Sequence, residues 1–405
     1  MSVIVFALNG LPAGWLGAYG NDWVGTPHLD RLAAEAVVFD RHISDRPDPT
    51  AARRAWVGVF SLLVRANHPD TDGPDWFYAG WGEVFDARPQ ADDHSPLEEL
   101  IRRLPALLDR LAGVPDFLLW IETDRLIPPW DVQQDVFEAY LKDEEDEPAR
   151  EADEEGEDDE EEGEEGADDN EVAEPAPVVP EPEPLEPVPP FADPPTGPFD
   201  RADLDAWDWL HKTFAAVVTK LDAELGVLFD LLRERGLDKR AAWLVTSDFG
   251  YPLGEHGQIG LHRPWLHEEL VHLPLLLRLP NAEQAGRRVP GFTQPPDVFP
   301  TLLALLGAVP PTDTPGFDLL PLARGQAESR REFAVTTLEL GDASEIALRT
   351  TDTALLVPTR VPDGDPPREP LMYTKPDDRW EVNDLRRANI DRADELEAQL
   401  REAIK

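Results

Sequence analysis

The chain has 405 residues, 41% of them hydrophobic, so it can bury a large core and is no small stapled module. It contains no cysteine, which removes disulfides, thiolate metal ligands and cysteine nucleophiles together and fits a cytoplasmic, reducing setting. The net charge of -45 makes nucleic acid and anionic membrane poor partners, because binding to phosphate rests on Lys and Arg that release counterions.

After Met1-Ser2 an apolar run, Val3-Ile4-Val5-Phe6-Ala7-Leu8, stops at Asn9-Gly10. It has no basic flank and is too short for a signal-peptide core, and no run nears the roughly 18 apolar residues of a membrane span. Candidate strands are 3–8, 117–121, 243–246 and 273–277, alternating with amphipathic helices as a doubly wound sheet requires. Residues 143–186 carry about 24 acids against one Arg, about half of the charge excess. With the Pro/Glu tract that follows, 143–198 has almost nothing to bury against its ordering entropy and reads as a disordered insertion. A solvated surface insertion is the better-supported reading of such a tract, ahead of an acidic ligand for a basic protein partner.

Residues 207–235 form the clearest helical stripe, with Phe214, Val217, Val218, Leu221, Leu225, Leu228 and Leu232 on one side and Gly236 past the end. A shorter helix starts at Pro300-Thr301. Beyond about Ala327 the texture becomes a hairpin, 346–349 with 354–357, then an edge strand at 371–374 and a closing helix over 391–404. The predicted organisation is therefore an α/β domain over 1–142 and 199–326, the insertion between them, and an α+β subdomain over 327–405.

The stretch Trp243-Leu244-Val245-Thr246-Ser247-Asp248-Phe249-Gly250, then Gly254-Glu255-His256-Gly257, places Asp248 at the carboxyl end of a strand, where α/β enzymes present ligands. It resembles the sulfatase family of the alkaline phosphatase superfamily. Five further stretches are similar in order and spacing: Leu16-Gly17-Ala18-Tyr19-Gly20 with Thr26-Pro27-His28-Leu29-Asp30; Pro128-Pro129-Trp130; the helix around Ala215–Leu232; Pro300-Thr301-Leu302-Leu303; and Tyr373 with Trp380-Glu381-Val382-Asn383-Asp384. The resemblance implies a sheet sandwiched by helices with a small antiparallel α+β subdomain at the C-terminus. It also implies a calcium ion held by strand-end carboxylates and a formylglycine nucleophile made from Cys or Ser.

The chain departs from that chemistry at named positions. The paired acids at the end of the first strand align with Asn9 and Gly10, and the residue after Asp248 is Phe249 rather than Asn or His. Candidate metal ligands reduce to Asn9 and Asp248, too few for calcium, which takes about six to eight oxygens. The nucleophile motif aligns Thr50 with the Cys/Ser position and Arg54 with its arginine, and threonine cannot become formylglycine. Two readings of Thr50 stand, an alkoxide activated by metal or base and a helix N-cap. The family's His before Pro-Trp aligns with Ile127, and its lysine after Gly-Glu-His-Gly with Leu261. Candidate catalytic residues are Thr50, Arg54 and His262. The expectation is a sulfatase-like protein, catalytically impaired and acting as a binding or scaffold module without a cofactor. The alternative is a divergent hydrolase of a small anionic sulfate or phosphate ester that uses Thr50 with calcium or another divalent cation.

Overall fold

The computed structural model describes residues 1–47, 61–66, 81–87, 95–142, 188–312 and 314–405. Its strands in chain order are β1 (Ser2–Leu8), β2 (Val37–Ile43), β3 (Ser61–Ala66), β4 (Glu83–Asp86), β5 (Leu118–Thr123), β6 (Gly197–Pro198), β7 (Ala241–Thr246), β8 (Gln258–Ile259), β9 (His272–Leu273), β10 (Leu275–Arg278), β11 (Arg288–Thr293), β12 (Ala334–Leu340), β13 (Ala343–Arg349), β14 (Thr353–Arg360) and β15 (Leu371–Thr374). Nine of them make one mixed sheet in the order β11-β2-β10-β7-β1-β5-β3-β4, with β9 attached to β2. β1 lies parallel between β5 and β7, and β10 runs antiparallel to β7 and β2.

Every residue of β1 is buried, because both faces of the sheet are covered; a strand in that place reads as a continuous apolar run instead of an alternation. Ile4, Phe6 and Leu8 pack with Phe214, Val217, Val218, Leu221, Leu225, Leu228 and Leu232 of the long helix Leu204–Glu234, the stripe read from the sequence. Val3, Val5 and Ala7 pack on the other face with Val298, Leu302 and Leu305 of the helix Val298–Leu306. The helix Pro96–Leu111, which the sequence reading passed over, begins with a reciprocal cap in which Ser95 and Glu98 each accept from the other's backbone N–H. Asp222, buried inside the long helix, accepts from the backbone N–H groups of His28 and Leu29 at 3.0 and 2.8 Å. It thereby tethers the start of the helix Pro27–Ala34, whose first N–H groups have no partner within that helix.

The C-terminal part is a four-stranded antiparallel sheet, β12-β13-β14-β15, whose central hairpin pairs Arg349 with Ala354 and Ile346 with Val357. The closing helix Ile390–Ala403 packs Ala393, Leu396 and Leu400 against one face. The other face meets Ile43, Leu266, Leu270 and Val271 of the main domain. Charge reinforces this seam. The His256 ring stacks on His267 with centroids 3.6 Å apart, and His256 Nδ1 meets Glu269 at 2.8 Å. His267 Nδ1 meets Glu381 at 2.9 Å, and Glu381 also accepts from Arg349 at 2.9 Å and faces Lys375 at 3.1 Å. Burial alone would raise Glu381, and the Arg349 and Lys375 charges override it and hold the carboxyl well below its ordinary range.

Residues 188–198, which the sequence reading assigns to the disordered insertion, are laid along the main domain; the rest of that stretch, 143–187, falls outside the described residues. Phe191 stacks on Trp209 at 4.9 Å, Trp209 Nε1 donates to Pro189 O, Trp130 N donates to Ala192 O, and β6 pairs with β8. The polar composition hid two aromatic and backbone anchors spaced too far apart to register as a periodic element.

Two predictions follow from these packings. Replacing 143–187 by a short Gly/Ser linker should leave the thermal midpoint within a few degrees, since long loops cost only about 0.6 kcal/mol per doubling, whereas a deletion running on to 198 should lower it clearly. Equal midpoints for the two deletions would contradict the docking of 188–198. The second concerns pH. Burial alone would lower His256, and the Glu269 carboxylate overrides it and lifts the imidazole to about 9. A folded pKa above the unfolded one gives stability that is present in full below about pH 6.5 and is lost as pH rises through about 9. In denaturant titrations at pH 6 and pH 10, the wild type should therefore lose on the order of 1–3 kcal/mol more than His256→Gln.

Candidate functional site

Parallel pairing puts the carboxyl ends of β1, β5 and β7 side by side, and the residues just past them share one crevice. Ala7 pairs with Thr246 and Leu8 with Thr123. Beyond the strands, Asn9 N donates to Thr123 O at 3.0 Å and Gly10 N donates to Phe249 O at 3.1 Å. Asn9 and Asp248 thus lie on neighbouring strand ends, as the two apolar runs imply, and both are buried. Asn9 Oδ1 has no hydrogen-bond partner among the described residues.

Asp124 sits just past the end of β5, on the other side of Asn9, and is also buried. Sequence reasoning missed it because it ended that strand at Ile121. The signal was present, since Leu118-Leu119-Trp120-Ile121-Glu122-Thr123-Asp124 is an apolar run closed by acids, the same pattern that picked out Asp248.

A cavity of about 390 Å³ opens beside this row, and Ile127, Phe249 and Leu261 all line it, together with Tyr251 and the docked stretch Asp193, Pro194, Pro195 and Thr196. These are the three positions at which the sequence places apolar residues in place of a histidine, a metal ligand and a lysine. They come together in space. Burial pushes the Tyr251 phenol up to about 12, with the Thr196 hydroxyl as its hydrogen-bond partner, so it stays protonated at neutral pH. His262 is exposed on the loop after Gly260 and is not among the residues lining this cavity. His256 is committed to Glu269 and to the backbone oxygen of Glu381. Thr50 and Arg54 lie outside the described residues.

The resemblance implies a calcium ion at the strand ends, and the donors among the described residues do not fit one. The row offers one amide oxygen and two carboxylates, Asn9, Asp124 and Asp248. Among the described residues no three acidic or histidine side chains gather as a metal cluster would require. Backbone geometry adds a second obstacle. Gly10 has φ +88°, and a Cβ there would sit 3.4 Å from Ile127 Cγ1, so the position of the second family acid is held in a left-handed conformation that side chains enter with strain.

Comparison with known proteins agrees with this architecture. The family model described as Sulfatase matches residues 141–308. An N-acetylglucosamine-6-O-sulfatase of Bacteroides thetaiotaomicron is 30% identical over 132 residues, 32% of this chain and 23% of that protein. The multifunctional alkaline phosphatase superfamily protein PehA of Trinickia caryophylli is 32% identical over 124 residues, 30% of this chain and 24% of that protein. The matched stretch therefore spans about a quarter of the length of these curated relatives. Among solved structures, BT4656 in complex with its substrate D-glucosamine-2-N,6-O-disulfate superposes with a TM-score of 0.69 at 15% identity, covering 99% of this chain and 97% of that one. The phosphonate monoester hydrolase of Agrobacterium radiobacter gives 0.65 at 16% identity, covering 100% and 94%. By its sequence over that stretch and by its fold from end to end, the chain resembles the sulfatases of the alkaline phosphatase superfamily.

Proposed function

We propose that this sulfatase-like chain has lost ester hydrolysis and serves as a binding or scaffold module. The convergence of Ile127, Phe249 and Leu261 on one cavity carries the reading. Hydrolysis of a sulfate or phosphate ester needs positive charge or hydrogen-bond donors where the leaving oxyanion develops. An isoleucine, a phenylalanine and a leucine supply neither. The acidic composition adds to the objection, since a net charge of -45 repels anionic substrates. The acidic tract is itself the element suited to a basic protein partner. Lack of cysteine supports a cytoplasmic setting, and no helix among the described residues is long and apolar enough to cross a membrane.

One observation favours the second reading, a divergent hydrolase acting on a small anionic ester through Thr50, Arg54 and His262 with a divalent cation. The row Asn9, Asp124 and Asp248 keeps oxygen donors at three adjoining strand ends. Turnover of 4-nitrophenyl sulfate and 4-nitrophenyl phosphate, with and without calcium, separates the two. The expected result is no release above background. Metal-dependent release that Thr50→Ala abolishes would establish the hydrolase instead.

Ligand restoration gives a further test. Asn9→Asp combined with Phe249→Asn should raise calcium affinity measurably in calorimetry without creating turnover, because the strand ends that aim these side chains are in place while the nucleophile is not. Adding Gly10→Asp should lower stability by about 1–2 kcal/mol through its left-handed backbone. If the double variant binds no more calcium than the parent, the strand ends do not form the crevice described here.

A further inference from the structure

A larger cavity lies elsewhere among the described residues. It is a groove of about 720 Å³ between the start of the long helix, the loop after β1, the Gly254–His256 turn and the Trp380–Val382 loop. Its size is that of a small-molecule site. Among the described residues the two exposed tryptophans, Trp23 at 47% and Trp380 at 53%, both line it, as do the exposed Leu204 and Val382. Scattered apolar side chains on a surface need no explanation, but this clustering in one concave place marks a binding surface.

Inside the groove the aromatic rings form a column. The His211 ring stacks on Trp207 at 3.8 Å and lies 5.4 Å from Trp15, which in turn lies 5.5 Å from Trp23. Burial lowers His211 to about 4, and its Nε2 bonds Leu253 O, so the ring is neutral. Most charges at the groove are already matched: Glu269 with His256 at 2.8 Å and Asp208 with Lys212 at 2.9 Å. Arg201 stands exposed at the rim, where solvent screens it. Glu255 remains. Its Oε2 accepts from Leu253 N at 2.6 Å, and its nearest basic side chain among the described residues is the neutral His211 at 3.9 Å. A polyol would need several open donors and acceptors, and these pairings leave few. What the groove does offer is aromatic faces, which are negative at their centres, with Arg379 already 4.9 Å over the Trp380 ring and the other tryptophans carrying no such cation among the described residues, and one carboxyl group with no charged basic side chain within 4 Å among them.

We infer that this groove binds a substituted ammonium cation, held on the tryptophan faces and balanced by the Glu255 carboxylate. Tryptophan is the strongest of the aromatic partners for a cation, and desolvated contacts of this kind are worth about 2 kcal/mol or more. The net charge of -45 concentrates cations around the molecule. Burial and the nearby Glu269 charge push Glu255 up to about 8, so at neutral pH it is protonated in the empty groove. Arrival of a cation favours the ionised form and releases that proton; the other charges at the groove, Glu269, His256, Asp208, Lys212, Arg201 and the Arg379 that lies on Trp380 and donates to Tyr19 O, are paired, hydrogen-bonded or exposed.

The test is calorimetry on the full chain with tetramethylammonium and choline, against the neutral isostere 3,3-dimethylbutan-1-ol and the sugar cellobiose. Saturable binding of the two cations is expected, about tenfold or more tighter than the isostere, with an enthalpy at pH 7 that changes with the ionisation heat of the buffer. Trp23→Ala, at a half-exposed ring, should weaken it about tenfold and Trp23→Phe less, both with an unchanged thermal midpoint. Glu255→Gln should abolish the buffer dependence. Equal affinity for the neutral isostere, saturation by cellobiose in place of the cations, or no saturation by tetramethylammonium would each overturn the proposal. Because the readout is binding, its failure leaves the hydrolysis question untouched.

Discussion

The two-sided burial of β1 is the constraint on which the rest of the structure depends. A strand that must satisfy its backbone on both edges and its side chains on both faces fixes β5 and β7 as parallel neighbours and demands a helical layer above and below. Once those neighbours are fixed, the positions just past their carboxyl ends are fixed too. Asn9, Asp124 and Asp248 adjoin because the hydrogen-bond ladder leaves them nowhere else to go. The scaffold of a site is in this sense a by-product of the core, and it persists whatever side chains occupy it.

That independence lets apolar residues stand beside the strand ends without disturbing the fold. Ile127 packs against the main core cluster and Leu261 against the cluster under the C-terminal sheet, so neither opposes the core. Two of the residues in motifs that resemble the family have structural duties. Asp222 caps the helix Pro27–Ala34, and Glu381 gathers His267, Arg349 and Lys375 at the seam between the two sheets. Removing Glu381 would strand buried cations, a far larger penalty than losing an exposed ion pair.

How much of this was legible in the sequence varied with the physics of each element. The long helix, the C-terminal hairpin, the edge strand at β15 and the closing helix were read within a few residues because their apolar periodicity is local. β2, β3, β4 and β11 were not, since short strands in a mixed sheet are defined by partners distant in sequence. Asn9 and Asp248 were found because each closes an apolar run, while Asp124 was passed over by ending one strand too early. The tryptophan groove carried no local signature at all. Trp15, Trp23, Trp207 and Trp380 are separated by almost the whole chain, and only the fold assembles them.

The backbone at Gly10 gives the altered crevice a direction. Most side-chain replacements can be undone by a single step, because the main chain on either side of them is indifferent to the change. Here the left-handed residue beside Asn9 makes the main chain a participant, and an acid at Gly10 would carry the strain of that conformation. A substitution that is neutral in one direction and strained in the other acts as a ratchet. An acid at Asn9 can be introduced without that strain, so the two positions differ in what their backbone admits.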